Sequence, residues 1–390
     1  MGYMTCIFSV IYFIIYYIGF QNEPYDLRVP YTLDGNGNKV YTLKNKIIGS
    51  NFLRSGFTFA FASIAAAGIV AVTLIPTYFI LKNCSATSGT FPEDYKSYFT
   101  IFDFLANHLA GLDPTIRSSG EDVLPNVYCG IATVMLVPMY FFTKSISKKE
   151  KVSTLILLGC LYISFNTNML NYIWHGFHFP NDLPYRQSFI YSFVLLVMAY
   201  KTFLRLSEFK SRHFAVVGVA LLSFVVLTDE LTSKNVTDST IIFTIILIVL
   251  YVLVLTVFKD KKYQAVSVAA LLVVCVCSEA VMCDTTAVSI SVDKTPYASD
   301  LEDFEDIKAQ LDAIEDNGFY RMELTDLRTR MDPSWYYYNG VSVFSSMATE
   351  IVSNLQDDLG MMSNRINSYT YNPQTPVYNL MFSLKYLVNN

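Results

Sequence analysis

Eight long apolar stretches punctuate the first 283 residues of the chain, near residues 3–20, 55–81, 125–142, 152–170, 187–204, 213–228, 240–258 and 264–283. A bilayer core about 30 Å thick takes about 20 apolar residues of helix, because hydrocarbon offers no partner to an exposed peptide group. Each stretch therefore predicts a transmembrane helix. The sixth is short, and the fourth is interrupted by Asn166, Thr167 and Asn168. Beyond residue 283 the pattern changes. Leu301 to Ile314 has helical periodicity, Phe319 to Leu324 alternates as a strand does, and Asn317-Gly318 marks the turn between them. Met347 to Leu359 predicts a second helix, and Asn372-Pro-Gln-Thr-Pro376 a break before a last strand at Phe382–Val388. The pattern predicts a polytopic α-helical membrane domain over residues 1–283 and a soluble α+β domain over 284–390.

Charge sharpens this division. Only 16% of the residues are charged and 53% are hydrophobic, whereas soluble domains carry about 25% charged residues. Residues 1–283 hold 21 Lys+Arg and 17 Asp+Glu, and residues 284–390 hold 7 and 16. The acidic tail excludes nucleic acid as a partner, since phosphates demand clustered cations. Orientation follows from the positive-inside bias. The connections 21–54, 143–151, 201–212 and 259–263 contain 5, 4, 4 and 3 Lys+Arg, and the alternate set, 82–124, 171–186 and 229–239, contains 3, 1 and 1. The basic set is predicted to face the cytoplasm, which puts the acidic tail and the other loops outside, in a multi-pass protein of the cell membrane.

Both ends of the sequence are abrupt. The chain starts inside an apolar run with no preceding basic residue, and the predicted orientation puts Met1 outside; only two residues follow the last strand. The expectation is a chain truncated at its N-terminus, with an incomplete C-terminal domain. Most of the seven cysteines lie in apolar runs, where cysteine acts as a small hydrophobe. Cys275-x-Cys277 has no further ligand nearby in the sequence, so no metal site is predicted there.

The outer loops carry the candidate chemistry. In 82–124, Tyr98, Phe102, Leu105, Leu109 and Leu112 recur at helical spacing, with Asp103, Asn107 and His108 between them. This predicts an amphipathic helix that either seals the loop or lies in the headgroup plane and lines a lipid site. Asp113, Arg117, Glu121 and Asp122 follow before the next membrane entry. Loop 171–186 holds two of the four histidines, His175 and His178, with Trp174, Tyr185 and Arg186. Interfacial aromatics need no special explanation. A histidine pair followed by Pro-Asn-Asp-Leu-Pro-Tyr-Arg does, and a guanidinium at the outer face suits a lipid phosphate. The His pair has metal-ligand spacing without further ligands. The tail has neither a Gly-rich phosphate loop nor a Ser/His/Asp set, and reads as a recognition or packing domain.

The run Trp174-His-Gly-Phe-His-Phe-Pro-Asn-Asp-Leu-Pro-Tyr-Arg-Gln-Ser-Phe189 resembles the signature of the YfhO family of bacterial membrane proteins. Asn126-Val-Tyr-Cys-Gly130, Gly318-Phe-Tyr-Arg321, Asp332-Pro-Ser-Trp-Tyr-Tyr-Tyr-Asn-Gly340, Phe344-Ser-Ser346, Thr375-Pro-Val-Tyr-Asn379 and Leu384-Lys-Tyr-Leu-Val388 are similar in style. The resemblance implies a GT-C-like fold and a glycosyltransferase. Such an enzyme takes a sugar from a polyprenyl-phosphate carrier and adds it, on the outer face, to an envelope polymer such as teichoic acid. Membrane lipids, the lipid-linked sugar and the polymer acceptor are its implied partners. A general base and groups that stabilise the departing phosphate are required. The family's catalytic Asp, in the first outer loop, is expected upstream of Met1, so the catalytic residue is not assigned and the chain as given is expected to be inactive. Substrate-binding candidates are His175 and Arg186 at the carrier phosphate, with Tyr185 beside them, and Asp103, His108 and His178 near the sugar or acceptor. The cofactor is not identified, and a divalent metal ion stays open. The competing readings are a lipid or polysaccharide flippase, for which the chain has few intramembrane polar groups (Asn166, Asn168, Glu279), and a non-enzymatic envelope scaffold.

Overall fold

The computed structural model describes residues 2–20, 31–40, 51–84, 90–115, 123–179, 184–232, 236–259, 266–288, 300–316 and 318–389. Of the earlier candidates, Arg117, Glu121, Asp122, Asn317 and the Pro180–Leu183 part of the signature lie outside these residues. The chain forms two compact units, one of residues 1–64 with 91–290 and the other of 65–90 with 291–390.

Helices occupy all eight apolar stretches. They are α1 (Gly2–Phe20), α2 (Asn51–Ile69) with α3 (Ala71–Leu81), α5 (Ile131–Phe142), α6 (Lys148–Asn166) with α7 (Asn168–Trp174), α8 (Ser188–Phe203), α9 (Ser211–Leu231), α10 (Asp238–Phe258) and α11 (Val266–Val288), with a short α4 (Ile101–Ala106) in the long loop. Among the described residues three segments are long and apolar enough to cross a membrane: Ser211–Thr228, Asp238–Phe258 and Ala269–Thr286. The pair α2–α3, bent by 76° at its break, makes a fourth when counted as one span. The apolar helices α5 and α8 are shorter, and α6 opens on Lys148-Lys-Glu-Lys151.

In the first unit α5 packs on α8, α1 on α6, α9 on α10, and α10 on both α5 and α11. Ile131, Met135 and Met139 of α5 meet Ala199, Ile248, Tyr251 and Leu255 in one core cluster. Residues 123–130 are not helical, and the chain turns into α5 at Gly130 with φ +97°, a conformation that side chains with a Cβ avoid. At this turn the buried carboxylate of Glu279, on α11, accepts from Ile131 N at 2.7 Å, from the Tyr251 hydroxyl at 2.5 Å and from the Tyr128 hydroxyl. A carboxylate in hydrocarbon surroundings is tolerated only with its oxygens satisfied, and these three donors tie α11 to α5 and α10.

The break in the fourth stretch is built from its own polar residues. Asn166 Oδ1 accepts from Tyr98 N, Phe99 N and Ser97 Oγ at 3.0, 2.9 and 3.1 Å. Asn168 Oδ1 accepts from Lys96 N at 3.0 Å, and its Nδ2 donates to Asp94 O at 2.7 Å. The Asn-Thr-Asn interruption thus holds the backbone of residues 94–99 against the α6–α7 junction.

The amphipathic helix predicted from Tyr98 to Leu112 is shorter than its periodicity suggests. Only Ile101–Ala106 is helical. The chain then leaves helical geometry because Asn107 Nδ2 donates to Pro125 O and Ala110 N to Thr244 Oγ1 on α10. Long-range partners outcompete the local repeat. Leu109 is consequently buried in the bundle instead of lying on a surface stripe.

The connections sort to two ends. Lys201 Nζ meets Glu150 at 2.7 Å, and Lys144 N donates to Glu208 at 2.8 Å, joining segments 143–151 and 201–212. At the other end Thr240 Oγ1 donates to Gly111 O at 3.2 Å, and Phe91 meets Tyr172 edge-on at 5.7 Å. The charge alternation predicts the same grouping.

In the second unit α12 (Leu301–Ile314) has the bounds its periodicity predicts. The strand Arg321–Leu324 pairs in parallel with the last strand, Leu384–Val388. Strands Val343–Phe344, Met362–Ser363 and Ser368–Thr370 form a small antiparallel sheet with the third of these in the middle. A helix at Glu350–Asp358 falls inside the predicted 347–359 segment. Phe304, Tyr320, Met322, Leu324, Tyr336 and Tyr338 make one of its core clusters.

Candidate functional site

Helix α7 is short and begins at the Asn-Thr-Asn break, so its one buried face is fixed by residues 94–99. Asn171 and His175, four residues apart, share that face and are both buried. His175 Nδ1–H donates to the Asn171 carbonyl at 2.8 Å. That bond leaves His175 Nε2 as an acceptor in the neutral ring. Burial lowers the His175 pKa to about 4, with the charge of Arg186 and then His178 adding to the effect. Among the described residues neither His175 Nε2 nor Asn171 Oδ1 has a hydrogen-bond partner, and the same is true of Gln187 Oε1, while Gln187 Nε2 donates to Ser164 O at 3.4 Å. Buried polar atoms are nearly always paired with protein or water. Three unfilled acceptors within 17 residues mark this segment as one where further donors are expected.

His178 is half-buried and its pKa is lowered, by burial first and then by the charge of Arg186. Arg186 itself is exposed. The structure therefore brings His175, His178 and Arg186 into one electrostatic neighbourhood, in which the histidines are neutral near pH 7 and the guanidinium is the cation.

The other candidates form a second group. His108 Nδ1–H donates to Phe104 O at 3.0 Å, and its Nε2 accepts from the Tyr191 hydroxyl at 3.1 Å. Burial lowers its pKa to about 4. His108 and Tyr191 line a cavity of about 230 Å³ that is otherwise almost wholly apolar, walled by Ile131, Pro138, Leu195 and Ile248 among others. Asp103 is buried and serves α4 itself. Its Oδ2 accepts from Thr100 N and Thr100 Oγ1 at 3.1 and 2.6 Å, while its N donates back to Thr100 Oγ1 at 3.2 Å. This is a capping box, and it gives the carboxylate a structural duty. Tyr185, buried at φ +55°, packs between the groups against Tyr98, Phe99 and Phe165.

Asn171, Gln187 and Tyr191 are absent from the sequence-level candidates. The spacing of Asn171 to His175 was a usable signal once the segment is helix, and Gln187 adjoins Arg186. Tyr191 carried none, since its partner lies 83 residues away. Among the described residues no group of three His, Cys, Asp or Glu side chains is placed to hold a metal ion.

Apolar helices of membrane-spanning length with buried polar groups among them define an integral membrane protein of the helical class. The chain belongs to the YfhO family of bacterial membrane proteins, whose family model matches it over residues 1–390. No curated protein and no solved structure matches it.

Proposed function

We propose that the protein is a membrane glycosyltransferase that moves a sugar from a polyprenyl-phosphate carrier to a cell-envelope polymer, such as teichoic acid, on the outer face. On this reading the bundle has about eight crossings, and residues 284–390 form an extracytoplasmic α+β domain. The observation that carries the reading is the pair of buried acceptors left unfilled among the described residues, Asn171 Oδ1 and His175 Nε2, near the exposed Arg186 guanidinium. Sugars are dense in hydroxyl donors, and the departing carrier phosphate is an anion. Asn171 and His175 offer acceptors for the first, and Arg186 a bidentate cation for the second. His175, being neutral with Nε2 unprotonated, suits a sugar hydroxyl better than the phosphate expected from sequence. Arg186 takes the phosphate alone. The apolar cavity at His108 and Tyr191 adds a place for hydrocarbon at the same end of the first unit.

Transfer is tested in membranes carrying the full-length protein, with a radiolabelled lipid-linked sugar. Arg186→Ala lowers the rate at least about tenfold, the loss of one charge-assisted contact of about 1.5–3 kcal/mol. Transfer at the normal rate removes Arg186 from the site. The flippase reading draws on Glu279, a buried carboxylate in a candidate span. Its three donors mark it as an anchor between helices, and directional sugar-lipid movement in sealed vesicles without a covalent product would restore that reading.

A further inference from the structure

The tail is acidic, with 16 Asp+Glu against 7 Lys+Arg over residues 284–390, yet one wide groove in it is not. This open groove of about 890 Å³ is lined by Lys308 and Arg321, and no Asp or Glu lines it among the described residues. It continues past Lys308 and Phe319 into a hollow of about 340 Å³, where the one carboxylate, Asp312, accepts from the Tyr320 hydroxyl at 2.8 Å. Cations concentrated in one groove of an acidic domain select an anion.

The groove also carries rings turned outward. Phe319 is 70% exposed and Tyr337 74% exposed, and Arg321 lies over the Phe319 ring with its carbon 5.2 Å from the centroid. Tyr337 stands at φ +55°, where a bulky residue is rare. The turn that presents it is fixed from below. Fully buried Glu323 accepts from Val341 N and Ser342 N at 2.6 Å each and from the Tyr338 hydroxyl at 3.3 Å. Gly340 must be glycine here, because a Cβ would come within 2.6 Å of Pro333 and 2.8 Å of Glu323. Asn339 and Ser334 add amide and hydroxyl groups to the lining. Flat exposed rings accept the C–H faces of pyranoses, side-chain amides and hydroxyls pair with their hydroxyls, and the two cations take phosphate.

We propose that this groove binds a phosphodiester-linked saccharide chain. The proposal rests on the glycosyltransferase reading only in making that chain the acceptor, since binding is measured without any transfer. The full-length protein in lipid nanodiscs is titrated with a short synthetic glucose oligomer joined by phosphodiesters, with the uncharged glucose oligomer, and with inorganic polyphosphate. The phosphodiester oligomer binds at least about tenfold more tightly than either control, and its affinity falls with added salt. Tyr337→Asn, which keeps a residue tolerant of positive φ, and Lys308→Gln each weaken binding about tenfold with the melting temperature unchanged. Wild-type affinity in both variants overturns the proposal. So does equal affinity for the uncharged oligomer, which removes the cations, or for polyphosphate, which removes the rings. Binding as stated in a protein that transfers no sugar would overturn the enzyme reading and leave the groove standing.

Discussion

A histidine that gives its Nδ1–H to a backbone carbonyl from a buried position is held neutral, and two of the four histidines here are in that state. The unfolded chain takes up each of these protons near pH 6.5, while folded His108 and His175 wait until about pH 4. Between those values the unfolded state binds more protons, so stability is full above about pH 6.5 and is lost as the pH falls toward 4. Each histidine contributes on the order of 3 kcal/mol to that slope. Thermal denaturation of the detergent-solubilised protein at pH 7 and pH 5 checks this: the midpoint falls at pH 5, and His108→Gln flattens the dependence. A pH-independent midpoint would mean that these rings are hydrated. At this scale the sequence is half legible. The pair His175 and His178 stands out by rarity and spacing, and Arg186 by its place at the mouth of an apolar helix. The tautomer does not stand out, since it depends on which carbonyl the ring meets. Nor does the duty of Asp103, for which the only sequence sign was the Thr100-x-x-Asp103 spacing of a capping box.

Elements begin and end where long-range bonds take over from local repeats, and the fourth apolar stretch is the clearest case. Read as hydropathy, Asn166-Thr-Asn168 is a flaw in a span; in the fold it is a clamp for a segment some seventy residues earlier in the chain. Asn166→Ala leaves the Phe99 amide and the Ser97 hydroxyl without their acceptor, while Tyr98 N keeps the Asn166 backbone carbonyl at 3.2 Å. Groups stripped of partners in a part-buried site cost about 1–3 kcal/mol each. The variant is expected to lower the melting midpoint by several degrees and to speed proteolysis within residues 90–115, with Asn166→Asp, which keeps the acceptor oxygen, much less affected. Equal protease sensitivity in all three proteins would remove the clamp. The same competition explains the truncated helix after Thr100. Apolar residues recur at helical spacing through Leu112, but Ala110 N finds Thr244 on α10, a partner that periodicity within the loop does not reveal.

At the scale of the whole molecule, charge reveals more than hydropathy does. Hydropathy finds eight helical stretches, but judged by length and composition three are candidate spans among the described residues, or four with the bent pair, because the apolar parts of α1, α5 and α8 are short and α6 opens on three lysines. The distribution of Lys and Arg does not depend on helix length. Sixteen of them fall in one alternate set of connections and five in the other, and contacts within the first unit join 143–151 to 201–212 and Gly111 to Thr240. A miscounted crossing would place unlike connections together. Since translocation retains basic segments on the cytoplasmic side, the end that bears His175 and Arg186 is expected to face outward, as is the acidic tail. Single cysteines introduced into a cysteine-free background decide it in intact cells. A membrane-impermeant maleimide labels Ser239→Cys and Ser346→Cys directly, and Lys148→Cys only after permeabilisation. Labelling of Lys148→Cys alone would invert the bundle. The Arg186 site would then face the cytoplasm, where an outer-surface polymer is out of reach.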